Sequence, residues 1–114
     1  MTIQHIKRTH DHELASWGAV GIPLSEPACQ LQGVKTSIPG REATDTGVWQ
    51  CSPGKFRRQI EAGEVMHILS GRCTFTPDEG AVIEINAGDT LFLSPNTTGV
   101  WDIQETVRKV YVLL

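Results

Sequence analysis

The chain has 114 residues, which fits a single domain. Its formal net charge of −3 offers no basic field for phosphates, so nucleic-acid binding is disfavoured. No apolar stretch approaches the ~20 residues of a membrane helix, and residues 1–12 lack the apolar core of a signal peptide. The three cysteines include no C-x-x-C spacing, so neither a disulfide framework nor a zinc site is expected. We therefore expect a cytoplasmic protein without a membrane or nucleic-acid partner.

Residues 1–30 carry few clear structural signals. The best helical candidate is 11–17, and it is short. The segment also contains apolar residues that need a partner surface, among them Trp17 and Val20. We expect residues 1–30 to form an arm or strand that packs on the rest of the domain or on a partner subunit.

Residues 31–114 form the second part of the predicted domain. Short runs of β-type residues alternate there with Gly, Pro, Asn and Asp turns. About nine strands are predicted, at 31–38, 47–51, 55–61, 65–69, 72–76, 81–85, 90–93, 99–103 and 107–114.

The pattern predicts an all-β fold, because no crossover helix is available to connect parallel strands. Residues 65–69 are apolar on both faces, which indicates a strand covered on both sides. The residues expected to be largely buried are Val65, Ile68, Leu69, Leu91, Leu93 and Val112. We expect a closed or nearly closed antiparallel barrel of two packed sheets.

Four stretches in this order resemble the cupin superfamily. Glu64 is followed seven residues later by Gly71, as at the end of the first cupin motif, and 88–96 resembles the start of the second. Residues 47–54 and 99–111 narrow the likeness to the cupins that include (S)-ureidoglycine aminohydrolase and the ethanolamine-utilisation cupin. The resemblance covers about 44–114. It implies an RmlC-like jelly-roll barrel, an antiparallel two-sheet β-sandwich, over residues 31–114.

Cupins of this type hold a divalent metal with two His on one strand, a Glu, and a His on a later strand. Glu64 matches the carboxylate, and the last His position falls on Gly99. The two other positions fall on Arg58 and Ile60 or, in a second common spacing, on Arg57 and Gln59. Alternation along 55–61 favours the first pair, because Phe56, Arg58 and Ile60 share one face.

Three of the four metal ligands are therefore missing, and Arg cannot replace a ligand. We predict no cofactor and disfavour a divalent metal. If Arg58 and Glu64 both point inward, each needs a partner, because an isolated buried charge costs several kcal/mol. The Arg58 guanidinium is therefore expected near Glu64 or a bound anion, about where a metal would lie, with Glu64 ionised.

The candidate ligand pocket lies at the barrel mouth. Its predicted residues are Trp49, Arg58, Glu64, Trp101, Lys109 and Tyr111. Aromatic walls with one or two charges suit a small polar ligand, such as a carboxylate held by arginine. Ordinary alternatives stay open: the two tryptophans as core residues, Arg58 in a structural ion pair and Lys109 as a solvated edge charge.

Three functions remain open at this point. The first is a small-molecule-binding cupin that forms a homodimer. The second is an enzyme acting on a ureido compound, an amino acid derivative or a sugar acid, with Glu64 as general base. The third is a structural dimerisation module.

The histidines outside the motif positions are weak candidates for ligands. His10 and His12 lie in a polar segment, where a solvated tail is the better interpretation. His67 follows Glu64 by three residues, so a regular strand places it on the opposite face.

Overall fold

The computed structural model describes residues 1–114 as eight β-strands and one short 3-10 helix. The helix is Thr9–Asp11, and the strands are β1 Ala15–Ala19, β2 Gln30–Thr36, β3 Asp45–Cys51, β4 Gly54–Ile60, β5 Glu64–Pro77, β6 Ile83–Asn86, β7 Thr90–Leu93 and β8 Thr97–Leu113. All strand pairs are antiparallel. The protein contains no helix with the length and apolarity of a membrane span.

Two long strands, β5 and β8, build both halves of a jelly-roll sandwich. The last part of β8 pairs with β3 and with the first part of β5. Beyond β3, this half continues through β2 to β1, and beyond β5 it continues to β7. The first part of β8 pairs with β4 and with the last part of β5, and β6 completes that half. The predicted all-β jelly-roll fold is confirmed.

The bend between the halves lies at Gly71. The β5–β8 register shifts between Ile68 and Cys73, as it does at bulges that bend a strand. Gly71 has a φ of 92°, and an added Cβ would overlap the Thr106 carbonyl oxygen. Only glycine meets both demands without strain.

The hydrophobic core fills the space between the two halves. Its largest fully buried side chains include Phe75, Met66 and Ile68, and its aromatic members also include Phe56 and Trp101. Phe75 and Trp101 pack with ring centroids 4.6 Å apart.

The predicted strand list is wrong in two respects. Residues 65–69 and 72–76 belong to the single strand β5, and 99–103 and 107–114 lie largely in β8. The polar and glycine signals at those places mark bends, which a long strand accommodates with bulges. The predicted helix at 11–17 is also wrong, since that region holds the end of the 3-10 helix and the start of β1.

Burial on β5 and its neighbours differs from the prediction. Of the six residues expected to be largely buried, only Ile68 is fully so. Along β5, Glu64, Met66 and Ile68 face inward, while Val65 and Leu69 face outward and are half-buried. Apolar residues on both faces predict a strand covered on both sides, but no other element of this chain covers the outer face of β5. The three others, Leu91, Leu93 and Val112, are likewise half-buried.

The N-terminal segment lies against the same chain. The Arg108 guanidinium donates to the carbonyl oxygens of Thr9 at 3.0 Å and His12 at 2.8 Å. Strand β1 pairs with β2, and Val20 joins the core cluster. These contacts place residues 9–20 on the edge of the barrel.

Candidate functional site

A cavity of about 460 Å³ opens at one end of the barrel, between strands of both halves. Its apolar wall includes four aromatic side chains, from β1, β3, β4 and β8: Trp17, Trp49, Phe56 and Tyr111. Charged side chains also line it: Lys35, Asp45, Arg57, Arg58, Glu64 and Lys109. An apolar cavity with a few convergent charges is the usual form of a small-molecule site.

Three charged side chains from three strands meet at Glu64, the first residue of β5. The Glu64 side chain is fully buried, and its Oε2 accepts a hydrogen bond from Lys109 Nζ at 2.9 Å. Arg58 Nη2 lies 3.1 Å from Glu64 Oε1. The structure thus forms the Arg58–Glu64 ion pair that the sequence predicts and adds Lys109 as a second cation.

Lys109 is held among aromatic rings and has almost no solvent contact, with its side chain 3% exposed. Its Nζ lies 4.4 Å from the Trp49 ring centroid, 5.8 Å from Trp101 and 5.9 Å from Tyr111. Burial lowers the pKa of Lys109 to about 8; Glu64 opposes this change, and the neighbouring Arg58 adds to it. Lys109 is therefore a buried amine and not the solvated edge charge that the sequence left open.

The cluster carries one more positive than negative charge. Arg58 and an ionised Glu64 cancel, which leaves the Lys109 ammonium below its pKa. Arg58 is the member that reaches the cavity solvent, with 27% of its side chain exposed. Glu64 Oε1 is buried and accepts no hydrogen bond in the structure. An anion beside Arg58 would complete the charge balance.

A second polar pair lines the cavity at Tyr111. Its hydroxyl donates to Asp45 Oδ1 at 3.1 Å, and Lys35 Nζ lies 3.5 Å from the same oxygen. Burial raises the pKa of Tyr111, and the Asp45 carboxylate raises it further. The hydroxyl therefore stays protonated at neutral pH and acts as a hydrogen-bond donor.

The residues at the cupin metal positions do not fit a metal. Arg58 pairs with Gly99 across β4 and β8. A side chain at Gly99 would overlap the Thr76 carbonyl oxygen and come within 2.7 Å of the Phe75 ring. No group of three or more His, Cys, Asp or Glu is placed to hold an ion. Two cations beside Glu64 would also repel a divalent metal.

The structure brings five of the six predicted pocket residues to the cavity: Trp49, Arg58, Glu64, Lys109 and Tyr111. Trp101 is the exception, because it is buried in the core against Phe75 and does not line the cavity. Its placement matches the core-packing alternative.

The alternation predicted for β4 is confirmed. Phe56 and Ile60 are buried and Arg58 is half-buried, whereas Arg57 and Gln59 are exposed. Arg57 makes a bidentate pair with Asp78, with 2.9 Å between Nη1 and Oδ1. Its guanidinium is thus engaged outside the cluster at Glu64.

His67 lies on the face opposite Glu64, as the sequence predicts. It is exposed, and its Nδ1 is 2.7 Å from the Thr90 hydroxyl. His10 is also exposed and lies in the 3-10 helix.

The cysteines offer no activated nucleophile. All three are free and buried. Burial raises the pKa of Cys73 to about 11 and that of Cys51 still further. Both remain thiols at neutral pH, and a thiol is a poor nucleophile compared with a thiolate.

Sequence reasoning missed Trp17 as part of the cavity wall. The β1–β2 register shifts between Ser16 and Gly18, so Trp17 occupies a bulge. Its ring lies directly over Gly33, which faces Trp49 on β3. The only sequence signal for this position of Trp17 is a glycine, Gly33, opposite Trp49 on the next strand. That signal can be used only when the register of the two strands is known.

A family model described as a EutQ-like cupin domain matches residues 40–111. The chain belongs to this cupin family. No curated protein matches it.

Solved structures support the cupin fold. A DUF861 family protein of unknown function from Pseudomonas syringae is 23% identical with a TM-score of 0.80, over 92% of this chain and 46% of its own. This cupin domain thus spans about half the length of that protein. A DUF861 family protein from Thermotoga maritima is 27% identical with a TM-score of 0.57, over 59% of this chain and 76% of its own. The Clostridium difficile EutQ protein is 14% identical with a TM-score of 0.66, over 82% of this chain and 79% of its own.

Proposed function

We propose that this cupin domain binds a small carboxylate in its barrel cavity, with Arg58 as the anchoring cation. The observation that carries the proposal is the charge excess at Glu64: two cations share one buried carboxylate, and Arg58 faces the cavity. Guanidinium and carboxylate groups match in a planar, two-bond geometry that is stronger than a neutral hydrogen bond.

The cavity wall supports a small ligand with an apolar part. Trp17, Trp49 and Phe56 supply apolar surface, and the Tyr111 hydroxyl and Asp45 supply a polar edge. A volume of about 460 Å³ lies within the range of ordinary small-molecule sites. A few-carbon acid would leave room for water bridges to the polar edge.

The enzyme alternative, an activity on a ureido compound, an amino acid derivative or a sugar acid similar to that of (S)-ureidoglycine aminohydrolase, receives less support. The metal positions hold Arg58 and Gly99, and the space at Gly99 is taken by Phe75. A purely structural module would not need a cavity with two cations at one carboxylate. Ligand binding accounts for both features.

Thermal-shift and calorimetric titrations with acetate, glycolate, lactate and succinate test the proposal. At least one acid is expected to raise the melting temperature saturably, and Arg58→Gln is expected to weaken its binding by about tenfold or more. Arg72→Gln is the matched control, because Arg72 is exposed, lies off the cavity and has only a 3.8 Å contact with Glu105. Unchanged binding in Arg58→Gln, or no stabilisation by any acid, would overturn the proposal.

A further inference from the structure

We infer that Lys109 forms an imine with a small 2-oxo acid bound in the cavity. This inference rests on the proposed carboxylate binding and names the ligand class more closely. Its basis is that an anion-binding guanidinium and a buried amine both contact the Glu64 carboxylate. Arg58 Nη2 lies 3.1 Å from Oε1, and Lys109 Nζ lies 2.9 Å from Oε2.

The spacing of the two cations selects the ligand. Both nitrogens lie next to the same Glu64 carboxylate, and all three residues line the cavity. A ligand whose carboxylate contacts Arg58 therefore has its next carbon close to Lys109. In a 2-oxo acid that carbon is the electrophilic carbonyl carbon. Arg58 would then bind the carboxylate while Lys109 lies next to the adjacent carbonyl carbon of the same molecule.

The surroundings of Lys109 favour a nucleophilic amine. A lysine becomes nucleophilic when it is desolvated or lies beside another cation, and both conditions hold here. The side chain is almost fully buried beside Trp49, and Arg58 is the neighbouring cation. The lowered pKa of Lys109, about 8, agrees with this geometry, since it leaves part of the amine neutral near pH 7.5.

The reaction balances without a further reactant. The neutral amine nitrogen attacks the carbonyl carbon, and the carbonyl π electrons become a lone pair on oxygen, which takes up a proton lost by nitrogen. The resulting carbinolamine then loses its hydroxyl and the second nitrogen proton as water. One C–N double bond replaces one C–O double bond, and the step is reversible.

Glu64 is placed to carry the protons between these atoms. Its Oε2 contacts the amine, and its Oε1, buried beside Arg58 Nη2, accepts no hydrogen bond and so has the capacity to accept one from a carbinolamine hydroxyl. The indole of Trp49 keeps the nitrogen in an apolar setting, which favours the loss of water.

Reductive trapping tests the inference. The full-length protein is incubated with pyruvate or glyoxylate and sodium cyanoborohydride, and the adduct is located by intact mass and peptide mapping. Lys109 is expected to carry most of the label. Lys109→Met is expected to lose it, whereas Lys55→Met, at an exposed lysine outside the cavity, is expected to retain it.

The peptide map of the wild-type protein shows which amine carries the adduct, so it tests the inference even if Lys109→Met fails to fold. Label spread evenly over Lys7, Lys35, Lys55 and the N-terminus, with no excess at Lys109, would overturn the inference. Competition by lactate, which has a 2-hydroxyl in place of the 2-oxo group, separates the two proposals. If lactate binds but no adduct forms at Lys109, carboxylate binding stands and imine formation fails; if no carboxylate of either kind binds, both fail.

Discussion

Glu64 is the single anion between two cations in the barrel interior, so its removal is expected to destabilise the folded protein. In Glu64→Gln, Lys109 and Arg58 face each other without a counter-charge, and removal of one partner from a buried pair costs about 3–5 kcal/mol. We expect the free energy of unfolding in urea at pH 7 to fall by about that much.

Glu105→Gln is the control for this change. Glu105 is exposed and makes only a 3.8 Å contact with Arg72, so an effect within about 0.5 kcal/mol is expected. Equal stabilities for the two variants would show that Glu64 does not hold the cluster.

Lys109 gives the stability of the protein a distinct pH dependence. Its pKa is lowered from 10.5 in the unfolded chain to about 8 in the folded one, first by burial. Between these pH values the unfolded state binds more protons, so the free energy of unfolding rises with pH. The free energy of unfolding of the wild type, minus that of Lys109→Met, should therefore increase from pH 8 to 10.5 by on the order of 3 kcal/mol.

The comparison isolates Lys109 only if the other titratable groups that face it contribute equally to the pH dependence of both proteins. They are Cys51 on β3, Arg58 on β4, Glu64 and Cys73 on β5, and Tyr111 on β8. The thiols and the phenol are present in both proteins. Urea denaturation at pH 7, 8, 9 and 10 measures the difference, and a flat or falling curve would contradict the lowered pKa of Lys109 in the folded protein.

Arg58 and Arg57 are adjacent but differ in what they hold. Arg58→Ala removes the nearest partner of the buried Glu64 Oε1, which costs about 1–3 kcal/mol. Arg57→Ala breaks a largely solvent-exposed pair with Asp78, which is worth about 0–1 kcal/mol. Chemical denaturation at neutral pH should rank Arg58→Ala as the less stable, and the reverse order would show that the pair at Glu64 is dispensable.

At the scale of the strand, Gly99 is a point of close approach on β8. An added methyl group would overlap the Thr76 carbonyl oxygen and press on Phe75. Gly99→Ala is therefore expected to cost about 1–3 kcal/mol, as overpacking does. Gly21→Ala is the control, since nothing lies within 4 Å of its added Cβ. Thermal denaturation compares the two, and a stable Gly99→Ala would mean that β5 and β8 can separate there.

The strand scale also explains where sequence reasoning lost detail. The sequence predicts separate strands at 65–69 and 72–76, yet β5 continues through Ser70 and Gly71 with a bend. A glycine with positive φ serves a turn and a bulge equally well, so the local signal is the same. Only the pairing of both halves of β5 with β8 distinguishes the two.

For the whole molecule, the outer face of β7, β5 and β8 is an apolar surface that no other part of the chain covers. Phe92, Val65 and Val112 stand opposite one another across these strands, and Phe92 is 76% exposed. Strand β7 pairs with β5 alone, so it is an edge of the sheet. Such faces and edges are commonly covered in assemblies.

We therefore expect a homodimer in which a second copy covers this face. Light scattering at tens of micromolar should give the dimer mass, and Phe92→Asp should shift it towards the monomer. Val82→Asp is the control, because Val82 is exposed but lies outside the strands. A monomeric wild type would contradict the prediction.

The sequence by itself determined the fold class and the register of the functional face. Turn residues at short intervals indicate an all-β barrel, and the alternation of Phe56, Arg58 and Ile60 places Arg58 inside beside Glu64. These are local patterns, because strand alternation and turn chemistry depend on neighbouring residues. Tertiary structure alone decided the second cationic partner of Glu64, since Lys109 is 45 positions away along the chain. It also decided that Trp101 joins the core while Trp17 lines the cavity, because bulges and cross-strand pairing, rather than residue type, set the direction of each ring.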